Sequence, residues 1–400
     1  MMFMRKQDSP LRVYWPLLLA VAGLMVFSVL FIYSATMANE AGSSVRWYNQ
    51  YYFRQMVWCL FGLGLAFGSS LTDYHRVARW AYVIYWLAIL LLILVFIVGS
   101  ELYGARRWID LGPFKLQPSE FAKLAFILAL ANYLSRPPSE LRDPLLVAKG
   151  LGLMVLPFLL ILKEPDLGSA LIFLPVGLAM LFAAEVPTRY LARLVGAGAV
   201  LIILLVVDVL YAPPKYQLNL ADYQKRRLLV YFGRENAPRG STPAERVEAR
   251  RQLRMYSYNV DQALISVGSG GWFGKGWCKG TQNALGYLPR AVAHNDFIFS
   301  VLAEEKGFMG SVIVLTLYSL VLFTGLSIAG QARDRLGKLL AVGVVALWFS
   351  HVFINIGMNI RIVPVTGVPL PLLSYGGSSV FCSLIAAGIL HNVYIHRRSY

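Results

Sequence analysis

Runs of about twenty apolar residues recur along most of this 400-residue chain, and they constrain its fold more than any other feature. A helix needs that length to cross the hydrocarbon core of a bilayer. Only helices or closed barrels satisfy their backbone groups there. Ten spans are expected, near 15–35, 52–72, 79–99, 118–135, 146–163, 168–184, 190–211, 308–330, 338–358 and 375–395. Charged residues make up 14% of the chain, against about 25% in soluble proteins. The expectation is an all-α polytopic membrane protein, one transmembrane domain over residues 1–400.

Basic residues orient the spans. Arg5, Lys6 and Arg12 precede the first, which places the N-terminus in the cytoplasm. That run is too long for a signal-peptide core and lacks a small-residue cleavage site, so it reads as an uncleaved span. Alternation then puts Arg76 and Arg79, Arg136, Arg142 and Lys149, Arg189 and Arg193, Arg333, Arg335 and Lys338, and Arg397–Arg398 on the same side. Every such loop is basic, and an even span count makes both termini cytoplasmic. A net charge of +16 set mostly at span ends gives nucleic-acid binding little weight.

Three segments fall outside: 100–117, 360–374, and the long loop at about 212–295 between spans 7 and 8. That loop carries thirteen Lys and Arg against five Asp and Glu. Long loops are largely exempt from the charge rule, but the short 100–117 loop runs against it, so its cations point to another use. Residues 244–255 could be mobile or form a short amphipathic helix on the membrane surface. Cys59, Cys278 and Cys382 are scattered, the first and last within apolar spans, and read as packing residues; no Cys/His cluster marks a metal.

Asp296 stands where the polar loop gives way to apolar sequence. A carboxylate there is costly to desolvate and reads as functional, or else as a helix N-cap. Glu120 and Lys123, three apart, share one helix face behind Pro118: a polar path into the membrane or a self-neutralising ion pair. Lys163-Glu164-Pro165-Asp166-Leu167-Gly168 reads by itself as a tight turn. Tyr223-Gln224-Lys225-Arg226-Arg227 offers guanidinium forks for phosphate oxygens, or a solvated basic face. The glycines of SVGSGGWFGKGWCKGTQ lack the nucleotide-binding order; a loop held close to a substrate or to the membrane fits them better. His351, Asn355 and Asn359 recur every four residues, a stripe suited to interhelical hydrogen bonds.

Six strings then stand in order: GARRWIDLGPFKLQPSEFAK, EPDLGSA, DYQKRR, ISVGSGGWFGKGWCKGTQ, DFIFSVLAEEKGFMG and PVTGVPLPLLSYGGSS. Together they resemble the SEDS family (shape, elongation, division and sporulation). GVPLPLLSYGGS and VLAEE are nearer its elongation (RodA) branch than its division (FtsW) branch. The resemblance implies a peptidoglycan glycosyltransferase that polymerises lipid II on the outer face of the bacterial inner membrane, for lateral wall elongation and rod shape. It implies a catalytic role for Asp296, and site roles for Glu120, Lys123, Asp166 and Gln224. The approach to Asp296, PRAVAHNDFIF, departs from the family's usual PERHTDFIF and is about two residues longer.

On that basis Asp296 is expected to accept the acceptor hydroxyl's proton. Arg106, Arg107, Lys123 and the cluster containing Arg226 and Arg227 are expected to offset charge on the departing pyrophosphate, with Glu120 orienting Lys123. A divalent ion could share that work, though no ligand set identifies one. The implied partners are a class B penicillin-binding protein (the transpeptidase) and other elongation-complex membrane proteins. Two other readings stay open: a flippase for lipid-linked precursors, and a non-catalytic scaffold.

Overall fold

The computed structural model describes residues 13–37, 46–102, 105–112, 114–212, 221–234, 242–288 and 290–397. Arg5, Lys6, Arg12, Arg398 and Pro289 lie outside them. The chain opens with α1 (Trp15–Met37), α2 (Tyr51–Leu71), the short α3 (Tyr74–Arg79) and α4 (Ala81–Val98). Strands β1 (Ser100–Leu102), β2 (Ala105–Asp110) and β3 (Lys115–Leu116) then form an antiparallel sheet in sequence order. Among the described residues this sheet is the one departure from the all-α expectation, and it pairs strands within the basic 100–117 segment.

Next come α5 (Pro118–Leu134), α6 (Pro144–Lys163), α7 (Leu167–Ala183) and α8 (Thr188–Tyr211). Proline at the first turn and aspartate caps set their starts: Asp143 accepts from the Leu145 amide at 2.9 Å, and Asp166 from Ser169 at 3.2 Å. The long polar loop contains α9 (Asp222–Phe232), α10 (Pro243–Ser269), α11 (Thr281–Ala284) and α12 (Arg290–Ala293). A Thr242–Glu245 capping box starts α10, which runs to Ser269 rather than stopping near Met255 as the sequence implied. Three further helices, α13 (Ile298–Gln331), α14 (Arg335–Asn359) and α15 (Gly377–His396), complete the fold.

Each of the ten expected apolar spans falls on a helix, and among the described residues seven helices are individually long and apolar enough to cross a membrane. Nearly every residue of α5 is buried, and α14 and α15 pack beside it, so these helices form the centre. Only 6% of the apolar window of α8 is buried against 72% for α15, which leaves α8 facing lipid. Gly307 breaks α13 with φ +65°, a conformation that disfavours any residue bearing a Cβ.

Candidate active site

Asp296 sits in the turn between α12 and α13, its amide bonded to the Val292 carbonyl at 3.0 Å. The N-cap position of α13 belongs to Phe297, so the N-cap alternative is not the one the fold uses. The carboxylate faces a cavity of about 290 Å³ lined by Tyr223, Arg226, Arg227, Tyr256 and Arg361 among others. Its backbone is held from below: Asn355 and Asn359 donate to the Asp296 carbonyl at 3.0 and 3.1 Å. Asn355 also donates to Val368 at 2.7 Å, and Asn359 accepts from Ser300 at 2.5 Å. Both asparagines are fully buried, as amides with every group engaged can be.

Gly367 closes one wall. It has φ +71°, and a Cβ there would approach the Asp296 carboxylate to 3.3 Å. Partial enclosure raises the Asp296 pKa to about 6, chiefly by desolvation; Arg227 and Arg107 pull it down, and Asp166 pushes it up. The group is still ionised at neutral pH, yet more basic than an ordinary aspartate.

Arg227 is tethered by the Thr366 carbonyl at 3.2 Å and lies over the Tyr223 ring. Burial, then repulsion from Arg107, lowers its pKa without removing its charge. Arg226 stacks on Tyr256 at 5.0 Å and donates to its hydroxyl at 3.2 Å. Arg361 was not foreseen. It adopts φ +60°, pairs with Asp261 at 2.9 Å and donates to Val230 at 3.2 Å, tying the end of α14 to α9 and α10. A long side chain in the left-handed region costs backbone strain of the kind that recurs at functional sites.

A second group lies beside this one. Arg107, on β2, donates through Nε to the Glu164 carbonyl at 3.1 Å and also to the Pro165 carbonyl. Its Nη1 stands 4.0 Å from Asp166, which caps α7 and lies 3.5 Å from the Gln117 amide. The Lys163–Gly168 segment is therefore a turn and part of the charged site at once. Glu164 is 1% exposed, neither of its carboxyl oxygens has a hydrogen-bond partner, and burial followed by Asp166 pushes its pKa up to about 8.

Deeper in the bundle, Lys123 bonds Glu120 at 2.6 Å and His351 Nε2 at 2.9 Å, all three buried. His351 Nδ1 lies 3.1 Å from the Pro369 carbonyl, which fixes the proton on Nδ1 and leaves Nε2 to accept from Lys123. The α14 stripe thus joins two sites: His351 holds Lys123, and Asn355 and Asn359 hold Asp296. Arg107, Asp166 and Arg227 sit close enough to Asp296 to bias its charge. Arg106 is exposed on β2, and Gln224, bonded to the Tyr223 hydroxyl at 3.0 Å, is not among the residues lining the cavity. The four-residue spacing of the stripe was visible in the sequence; its grip on the Asp296 main chain was not.

In this polytopic membrane protein a desolvated aspartate beside clustered guanidinium groups is an arrangement that suits acid–base chemistry on an anionic substrate. The chain belongs to the FtsW/RodA/SpoVE cell cycle protein family, whose profile matches residues 15–399. The peptidoglycan glycosyltransferase RodA of Treponema pallidum is 35% identical, with 94% of this chain and 96% of that protein aligned. The peptidoglycan glycosyltransferase MrdB of Escherichia coli is also 35% identical, over 96% of this chain and 93% of the relative. Among solved structures, a chain from work on polymerization and crosslinking by a peptidoglycan synthase complex superposes with TM-score 0.75 at 30% identity, covering 98% of this chain and all of that one. A mutant of the rod shape determining protein RodA of Thermus thermophilus does so with TM-score 0.66 at 30% identity, with the same coverage.

Proposed function

We infer that this chain is a peptidoglycan glycosyltransferase of the bacterial inner membrane that polymerises lipid II for rod-shaped wall growth. The observation that carries the site assignment is Asp296: a partly desolvated carboxylate on a main chain held by two buried asparagines, at a cavity that three arginines line. In the reaction a sugar hydroxyl of one lipid-linked substrate attacks the anomeric carbon of another. The new C–O glycosidic bond forms as the bond to pyrophosphate breaks, and Asp296 takes the hydroxyl proton. General-base assistance of this kind contributes roughly 10²–10⁴-fold. Polyprenyl pyrophosphate leaves with the electron pair of the broken bond.

Arg226, Arg227 and Arg361 line the Asp296 cavity, and Arg107 adds its charge from β2. Guanidinium forks match phosphate oxygens, so these side chains would offset the charge that develops on the leaving group. Lys123 is oriented by Glu120 and also engaged by His351, which sets its charge in the buried layer beneath the site. With both termini cytoplasmic, the cavity opens on the outer face, where lipid II is presented. Membership of a synthase complex with a class B penicillin-binding protein fits this placement, since crosslinking must follow polymerisation on the same side.

The test is polymerisation of purified lipid II in a bilayer, with the transpeptidase partner present, by wild type and Asp296→Asn. Glycan strands from the wild type alone support the assignment. Equal polymer from both removes Asp296 as the base. No polymer from either returns the flippase and scaffold readings, which a lipid-flipping assay separates.

A further inference from the structure

The glycine-rich segment 268–280 is not used by the reaction, yet it is built with unusual care. Its main chain is docked on the break in α13. Phe308 and Met309, whose amides Gly307 frees from helical bonding, donate to the Gly271 and Trp272 carbonyls at 2.8 and 3.1 Å. In return Lys275 and Gly276 donate to the Glu304 and Glu305 carbonyls, each at 3.0 Å. A Cβ on Gly270 or Gly274 would collide with the α13 backbone, so glycine is what permits the approach. Underneath, fully buried Glu304 accepts from Lys275 at 2.6 Å and from Thr281 at 3.1 Å, and Glu305 accepts from Ser34 of α1.

While this part of the main chain is held by α13, the adjacent rings of Trp272 and Phe273 are left exposed. Trp272 is 68% exposed and Phe273 81%, with Phe308 and Met309 exposed beside them. The depth of this patch follows from its neighbours. Trp277 stacks on Tyr33 and donates to the Leu30 carbonyl at 3.4 Å, and Asn283 donates to the Ser34 carbonyl at 3.1 Å. The α1 span ends at Thr36, so Leu30 lies about 9 Å inside it along the helix axis. Phe308 and Met309 begin the part of α13 that runs to Gln331, about the length a bilayer core requires.

We propose that residues 268–280 form a re-entrant wedge seated in the leaflet on the Asp296 side, with Trp272, Phe273, Phe308 and Met309 in the boundary between headgroups and acyl chains. Irregular backbone is tolerated at that depth only where protein engages its polar groups, and α13 engages the Gly271 and Trp272 carbonyls and the Lys275 and Gly276 amides. Aromatic rings favour the same boundary, and the patch continues the lipid-facing surface of α1 and α13. The wedge fixes the depth of the C-terminal end of α10, and hence of the helix that lines the Asp296 cavity.

The test uses full-length protein with its partner in nanodiscs, in a Cys278→Ser background; Cys59 and Cys382 are buried, and the same background without an added cysteine serves as the labelling control. A small fluorophore is placed at Phe273→Cys or Phe308→Cys. Leu315→Cys on α13 serves as a deeper reference and Val247→Cys on α10 as a solvent reference, both positions being exposed. The labels at 273 and 308 are expected to be quenched most by lipids carrying a nitroxide high on the acyl chain, and several-fold less by aqueous iodide than the label at 247. Iodide quenching equal to that at 247 would place the loop in water and overturn the wedge. Quenching by neither agent would mean that a protein partner covers the patch, which overturns it equally. Two label positions keep the result readable if one substitution disturbs folding.

Discussion

Asp296→Asn is expected to stabilise the folded protein at neutral pH while abolishing polymerisation. The enclosed carboxyl titrates near pH 6 instead of 3.8, so its ionised form is disfavoured in the fold relative to the unfolded chain. A shift of that size corresponds to about 3 kcal/mol as an upper limit, lowered because the group is partly open to the cavity. The sign follows from linkage. As pH rises above 3.8 the unfolded state loses this proton first, and wild-type stability declines until the folded group ionises near 6. Above that the full penalty remains; below about 3.8 both states are protonated and it vanishes. Asparagine keeps the shape without the charge. Thermal unfolding in detergent, followed by tryptophan fluorescence, should therefore show the variant melting higher than wild type at pH 8, with the gap closing by pH 4. A variant that melts at or below the wild type at pH 8, or a gap unchanged in acid, would refute the desolvated-base argument. Active sites commonly trade stability for function in this way.

Arg227→Ala removes the largest cationic influence on Asp296, so the acid limb of the pH–rate profile should move above its wild-type midpoint. A slower enzyme with an unmoved midpoint would restrict Arg227 to substrate binding. Lys123→Ala leaves Glu120 buried without its cation and should destabilise by about 3–5 kcal/mol in thermal unfolding. The double variant Glu120→Gln, Lys123→Met should recover most of that; no recovery would mean that the lysine's packing, not its charge, matters. Glu164, pushed up to about 8 by burial, keeps its proton in the fold at pH 7 while the unfolded chain has already lost it, so Glu164→Gln should melt higher than wild type there. The variant's advantage should be absent below the ordinary value of 4.5, grow as pH rises toward 8 and level off above it, because between those limits only the unfolded wild type ionises. A constant difference across pH would contradict this.

The sequence by itself determined the class of fold. Apolar runs of bilayer length leave the backbone no option but helices, and all ten expected runs fall on helices. It also marked part of the chemistry: Asp296 stood out because a carboxylate at a membrane boundary is costly to keep, and Arg107 because its short loop runs against the charge rule. Asp166 read by itself as a turn, and Arg227 equally as a solvated basic face. What it left open was their partnership. Glu120 and Lys123 were readable as a pair from their three-residue spacing, but nothing local says that His351, 228 residues away, is the third member. Likewise the α14 stripe announced hydrogen bonding without saying that its target was the Asp296 carbonyl. The basic 100–117 segment gave no strand signal strong enough to foresee a sheet, because three short strands are stabilised mainly by one another. Arg361 was hidden in an apolar, proline-rich stretch, where only packing against α9 and α10 gives its left-handed backbone a purpose. Local sequence governs hydrogen bonds and burial within a helix; contacts between segments far apart in the chain depend on how the helices pack. The tertiary structure alone therefore decided which charges share the cavity with Asp296.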